Sequence, residues 1–209
     1  MRLILASHNA KKLIELQALL AGFPVQLVAQ PTLQIAEAEE PHATFIENAL
    51  TKARHAAAHA KGPAIADDSG LCVDALGGEP GVASAHYAPV VAGAGDREQR
   101  RARQDAANTA LLLQRMQDVV DRRARFVSTL VALRHANDPE PLIAFGRWQL
   151  ELLHQPRGSG GFGYDPVVRV PTHDCSVAEL PPALKNQISH RALAARQMRL
   201  LMREVWQLG

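Results

Sequence analysis

Two aspartates stand side by side in Ala64-Ile65-Ala66-Asp67-Asp68-Ser69-Gly70, at the end of a short apolar run. Adjacent carboxylates disfavour each other's ionised form unless something positive offsets them. A divalent cation can do so: Mg²⁺ takes oxygen ligands and keeps waters that substrate phosphates can replace. A water activated by such a metal, or by a neighbouring base, can attack phosphorus. Neighbouring strand residues point to opposite faces, so a face shared by Asp67 and Asp68 needs a bend, which Gly70 would help supply. The same residues also fit a turn with aspartate caps, and by themselves they leave both readings open. The Asp-x-Asp start of a phosphoaspartate enzyme is absent.

Other groups suited to a nucleotide are spread along the chain. Ser7-His8-Asn9-Ala10-Lys11-Lys12 lies where a strand gives way to a helix, whose unpaired N–H groups and positive dipole end favour phosphate. Ser7, Asn9 and Lys12 add donors there, although a plain capped helix start reads equally well. Lys52 falls on the apolar side of a helix with Phe45, Ala49 and Ala56, so it either snorkels or faces a polar cleft. Glu40 lies just ahead of that helix and could join the aspartates around a metal. In Gly160-Gly161-Phe162-Gly163-Tyr164-Asp165, glycines let the backbone approach a ligand. Phe162 or Tyr164 could stack on a flat base and Asp165 could accept from ring N–H donors, or the segment is a glycine-rich hairpin. Ser189 is an N-cap for the last helix, with Lys185 just before it. His190 and Arg191 then oppose the helix dipole, which calls for an anion or an electron-rich oxygen nearby. His55 and His59 have the spacing of a metal pair, but no third ligand completes it, and a solvated helix edge is the better reading.

The elements that must carry these groups follow from periodicity and punctuation. Residues 2–6 read as a buried strand, 9–20 as a helix stopped by Gly22 and Pro24, and 25–29 as a second strand. Residues 31–43 are acidic and irregular. Thr44 and Glu47 form a capping box for a helix over 45–61, ended by Gly62-Pro63. Residues 64–66 make a short strand, 71–81 a compact turn-rich segment, 88–95 a loop and 96–116 a long charged helix. Strands at 125–134 and 142–153 are joined through a turn at 137–141; a strand follows at 167–170 and a final helix at 189–208. Early alternation and a later hairpin point to an α/β protein with a mixed sheet.

Composition sets the frame. The chain has 209 residues, 47% apolar and 21% charged, which suits one large domain or two joined lobes with a real core. No apolar run approaches the roughly 20 residues of a membrane span, and no export signal is evident, so a cytoplasmic protein is expected. Cys72 and Cys175 read as buried free thiols. A net charge of +2 is too weak to imply nucleic-acid binding. Of 23 basic residues only five are lysine, a compact charge suited to phosphate, so each lysine position is informative.

The order of the motifs is more specific than any one of them. Ser7-x-Asn9-x-x-Lys12, Glu40, Thr44-Phe-Ile-Glu-Asn48, Lys52-Ala-Arg54, Ala64-Ile-Ala-Asp-Asp-Ser-Gly-Leu71, Leu76-Gly-Gly-x-Pro-Gly81, Gly160-Gly-Phe-Gly-Tyr-Asp-Pro166 and Ser189-His-Arg191 together resemble the inosine/xanthosine triphosphate pyrophosphatase family, over residues 2 to 205. That resemblance implies hydrolysis of ITP, dITP and XTP to the monophosphate and pyrophosphate. It implies Mg²⁺, a homodimer, and one domain over 1–209 with a long curved mixed sheet flanked by helices, two lobes and a central substrate cleft. By position, Asp68 would be the general base and a metal ligand, Glu40 a second metal ligand and Asp67 a support. Ser7, His8, Asn9, Ala10, Lys11, Lys12, Lys52 and Lys185 would hold the triphosphate and Ser69 would touch substrate. Phe162, Gly163, Tyr164 and Asp165 would embrace the purine, and His190 and Arg191 would read its 6-oxo group. His8 and Lys11 stand where many members have Gly, and His86 where many have Arg. Two competing readings are a Maf-like pyrophosphatase acting on other modified triphosphates and a non-catalytic nucleotide-binding protein; the Phe-Gly-Tyr-Asp and Ser-His-Arg signatures oppose the first, and Asp68 the second.

Overall fold

A computed structural model describes residues 1–90 and 92–208; Val91, within the expected 88–95 loop, lies outside them. The chain forms two compact units. The first comprises Met1–Ser69, Ser128–Arg147 and the chain from Asn186; the second comprises Gly70–Val127 and Trp148–Lys185. The strands are β1 (Arg2–Leu5), β2 (Gln26–Ala29), β3 (Ala64–Val73), β4 (Arg123–Leu133), β5 (Leu142–Leu152), β6 (Val168–Val170) and β7 (Cys175–Ser176). They form a sheet of order β2-β1-β3-β4-β5-β6-β7. It is mixed, as expected: β1 runs parallel to β2 and β3, whereas β6 is antiparallel to β5 and β7. The helices are α1 (Ala10–Leu19), α2 (Phe45–Ala60), α3 (Arg97–Arg115), α4 (Pro182–Ile188) and α5 (His190–Trp206).

Strand alternation sorts the first unit's core into two layers. Leu3 and Leu5 of β1, Ile65 of β3 and Leu130 and Ala132 of β4 pack with Leu16 of α1 and Ala194, Ala195, Met198 and Met202 of α5. The intervening residues, Ile4, Ala6, Ala64, Ala66, Val131 and Leu133, pack instead with Ala49, Ala53, Ala56 and Ala57 of α2. Leu3, Leu5 and Leu130 are wholly buried, and each side chain of that size removed from water contributes about 1.5–3 kcal/mol. Small alanines along one face of α2 let that helix lie close to the sheet.

Most elements lie where periodicity places them, with instructive differences. The short strand expected at 64–66 continues through the aspartates and Gly70 to Val73, so the motif is neither a strand end nor a bend. Helix α4, with Lys185 on it, has no counterpart in the expected elements. Part of the irregular 31–43 segment is a 3₁₀ turn at Gln30–Leu33. At the start of α2, Thr44 Oγ accepts from the Glu47 N–H as anticipated, but Glu47 returns to the Thr44 hydroxyl rather than its N–H. Cys72 is buried, while Cys175 is only half-buried; neither forms a disulfide. No helix among the described residues is long and apolar enough to cross a membrane.

Candidate active site

Because β3 is continuous, the alternation of its core extends to the aspartates. Ile65 faces α1 and α5, and so does Asp67; Ala64 and Ala66 face α2, and so does Asp68. The two carboxylates are therefore handled by different partners.

Asp67 is 1% exposed and saturated with donors. Its Oδ2 accepts from Arg191 Nε at 3.1 Å and Nη2 at 2.9 Å, from Ser69 Oγ at 3.2 Å, and stands 3.0 Å from Lys12 Nζ. Its Oδ1 accepts from Ser128 Oγ at 2.8 Å, a residue of β4. Burial pushes this carboxyl up, but Arg191 and Lys12, with the Ser128 bond, hold it well below the usual carboxylate range. Arg191, itself 1% exposed, also donates to Ser69 Oγ at 2.9 Å and to Glu15 of α1. The anion that the cation at the start of α5 called for is supplied within the protein by Asp67 and Glu15. Gly146 of β5 makes room for that helix start, since a Cβ there would lie 1.8 Å from His190 O. Burial lowers the Lys12 pKa, against the attraction of Asp67.

Asp68, 6% exposed, has one cation. Lys52 Nζ donates to its Oδ1 at 2.7 Å and to Glu40 Oε2 at 2.8 Å. Lys52 thus faces a polar group from an apolar helix side. Glu40 comes close enough for the two carboxyls to share a proton. When both are ionised neither can donate, and the buried Asp68 Oδ2 then has no hydrogen-bond partner among the described residues. Burial raises the Asp68 pKa to about 6, with the Glu40 carboxyl adding to the rise, against the pull of Lys52 and Lys12. Glu40 feels burial too, but Lys52 brings it below its usual value. Lys52 is held in its charged form: burial opposes the proton and the two carboxylates outweigh burial.

In the β1–α1 turn, Asn9 Oδ1 accepts from the N–H groups of Lys11 at 3.0 Å and Lys12 at 3.2 Å, and Ser7 Oγ accepts from Asn9 N at 3.1 Å. The turn is thus a capped helix start, with Ala10 as the first residue of α1. His8 Nε2 donates to Ile35 O at 2.9 Å. His55 Nε2 donates to Ala36 O at 3.0 Å, and no cluster of three or more metal-binding side chains occurs among the described residues.

In the second unit the glycine-rich segment is held by Asp165, which is 3% exposed. Its Oδ2 accepts from Phe162 N at 2.9 Å and from Lys185 Nζ at 2.8 Å. Gly161 has φ +72°, and a Cβ there would fall 2.0 Å from Asp165 Oδ2, so only glycine fits. Gly163 N donates to Asp105 of α3 at 3.0 Å, and Tyr164 donates its hydroxyl to Ser84 O at 3.0 Å. Burial raises the Tyr164 pKa, keeping that hydroxyl a donor. Lys185 Nζ lies 5.0 Å from the centre of the Phe162 ring.

Sequence reading did not single out Ser128, Glu15, Asp105 or Gly146. A glycine inside a strand pattern is a legible sign of close backbone approach. The other three carry no local signal, because their partners lie far away in sequence.

This constellation has close counterparts among known proteins. The Ham1 family model matches residues 3–201. A dITP/XTP pyrophosphatase of Methylibium petroleiphilum is 68% identical over 206 residues, spanning 99% of each chain. One of Leptothrix cholodnii is 64% identical over 212 residues, spanning both chains in full. Among solved structures, a HAM1 protein from Coxiella burnetii superposes with a TM-score of 0.86 at 40% identity, covering 98% of this chain and 100% of that one. The chain belongs to the Ham1 family.

Proposed function

We propose that the protein hydrolyses non-standard purine nucleoside triphosphates, with dITP, ITP and XTP as substrates, to the monophosphate and pyrophosphate. The names of its relatives support this substrate class. The observation that carries the chemistry is Asp68: a buried carboxyl whose Oδ2 has no hydrogen-bond partner among the described residues when Glu40 is ionised, a pKa pushed to about 6, and Glu40 and Lys52 beside it. A carboxylate in that state is a general base able to take a proton from water near neutral pH. Asp67, fully engaged by Arg191, Lys12 and Ser128, is the support that fixes the strand beneath it.

Family pyrophosphatases are generally divalent-metal dependent. Two carboxylates meeting around an unpartnered buried oxygen suit a hard cation, and we assign Glu40 and Asp68 as the residues that would hold Mg²⁺. The ion would supply charge neutralisation at the phosphate and a more acidic water. Ser7–Lys12 and Lys52 are assigned to the triphosphate and Ser69 to a substrate contact. For the second unit the assignment is Lys185 to phosphate and Phe162–Asp165 to the base. His190 and Arg191 are assigned to the 6-oxo group. Within that pair Arg191 is clasped by Asp67, Glu15 and Ser69 and so anchors the start of α5, while the neighbouring His190 is the one assigned to contact the base. A donor there pairs with a carbonyl and leaves the 6-amino group of adenine unmatched, a strong basis for discrimination. The reading includes a homodimer in the cytoplasm, which light scattering on the purified protein tests for its oligomeric part.

Pyrophosphate release with Mg²⁺ across ITP, XTP, dITP, GTP, ATP and dTTP tests the proposal. Fast release from the first three is expected. Faster release from dTTP would favour a Maf-like substrate class, and none from ITP or XTP would make the protein a binder rather than an enzyme.

A further inference from the structure

Glu40 is half-exposed and sits in an irregular stretch, yet it reaches Lys52 at 2.8 Å. Something must hold its backbone. The stretch is pinned at its start by two histidine rings: His8 to Ile35 O and His55 to Ala36 O, where a carbonyl acceptor requires Nε2–H on each ring. The pin nearest Glu40 is Asn48 of α2, which is 1% exposed. Its Oδ1 accepts from the His42 N–H at 3.0 Å and its Nδ2 donates to His42 O at 3.1 Å. One side-chain amide thus pairs with both backbone groups of one residue, as a neighbouring strand would. The His42 ring returns to Thr51 Oγ at 3.0 Å. Between His42 and Glu40 lies only Pro41, whose φ is fixed by its ring. Asn48 and Lys52 are four apart on α2 and so share a face.

We propose that Asn48 is a positioning residue for Glu40: its two-point clasp on His42 sets Glu40 against Lys52 and Asp68 and so builds the carboxylate pair that the divalent cation uses. The inference rests on the function proposed above. Only an asparagine meets the requirement at this length. Aspartate keeps the acceptor but loses the donor, alanine loses both, and glutamine is one methylene too long.

The test compares Asn48→Ala, Asn48→Asp, Glu40→Gln and the Asn48→Ala/Glu40→Gln double variant. In the metal-free, nucleotide-free protein, amide exchange over residues 37–42 is expected to quicken at least tenfold in Asn48→Ala, while exchange in β1 and β3 stays unchanged. The Mg²⁺ concentration for half-maximal pyrophosphate release should rise about 10- to 100-fold, the usual effect of removing a group that orients a metal ligand. Asn48→Asp should fall between, and reads the same question if the alanine variant fails to fold. In the Glu40→Gln background the Asn48→Ala effect should vanish, because partners acting through one another are non-additive. Unchanged exchange at 37–42, or additive effects of the two substitutions, overturns the proposal. Wild-type Mg²⁺ dependence in Glu40→Gln would instead remove Glu40 from the metal, overturning the functional role of the clasp while the exchange data still report whether it orders the loop.

Discussion

On the side of β3 that faces α1 and α5, Asp67 meets two cations and two hydroxyls and is held well below the usual carboxylate range. On the side that faces α2, Asp68 shares a single lysine with Glu40, has one oxygen without a partner among the described residues when both carboxyls are ionised, and is pushed up to about 6. The residues are chemically identical, adjacent and both buried. What separates them is the period of two of a strand, which presents each to a different helix layer. Burial alone would raise both; the number of positive partners decides that only one stays reactive. An orphaned buried oxygen is costly to a fold unless something uses it, so the poorer environment marks the chemical residue and the richer one the structural residue.

Exchanging each for asparagine should separate the two roles most widely. Asp68→Asn should lower kcat about 10²- to 10⁴-fold, the range for loss of a general base, while thermal melting of the metal-free protein is unchanged or raised. Near-wild-type turnover would remove Asp68 from its role. Asp67→Asn leaves Lys12 and Arg191 buried without their shared carboxylate and should cost about 3–5 kcal/mol in urea unfolding. A cost below about 1 kcal/mol would place Asp67 among ordinary exposed charges. Arg191→Lys keeps the charge but loses the paired Nε and Nη2 bonds, and should cost about 1–3 kcal/mol by the same measurement.

The smallest effects are in the pH dependence, and the two aspartates run in opposite directions. Asp67, with a depressed pKa, contributes stability that is present above its unfolded value of about 4 and is lost as pH falls towards its folded value. Asp68, with a raised pKa, makes stability decline as pH rises from about 4 towards about 6. In kcat/KM the Asp68 carboxyl should give an acid limb, placed below 6 because a divalent cation at that carboxyl favours its ionised form. Lys52→Met, which removes the cation between the carboxylates, should move that limb upward; an unmoved limb would mean that Asp68 does not set it.

Much of this was legible before the fold was known. Thr44 announced α2, Gly62-Pro63 ended it, and the order of motifs from Ser7 to Arg191 named the family whose model matches residues 3–201. The continuation of β3 through Asp67-Asp68-Ser69-Gly70 was not legible, because two charges, a serine and a glycine break the apolar strand signal. Nor was α4, a seven-residue helix that begins on the second of two prolines. The partners of Arg191 were out of reach for another reason. The dipole argument demanded an anion, but the two found, Asp67 on a central strand and Glu15 on α1, lie 124 and 176 residues away, and no local pattern specifies such pairings. Glycine-rich residues 160–163 signalled a close approach, and part of it is internal: Gly161 makes room for Asp165.

The division of labour between the two aspartates is tested most directly by following their side-chain carboxyl ¹³C shifts through a pH titration of the metal-free protein. Asp67 should stay ionised to the acid limit of the folded state, and Asp68, titrating jointly with Glu40, should show its main transition near 6. Two aspartates titrating together in the ordinary range near 4 would contradict the account.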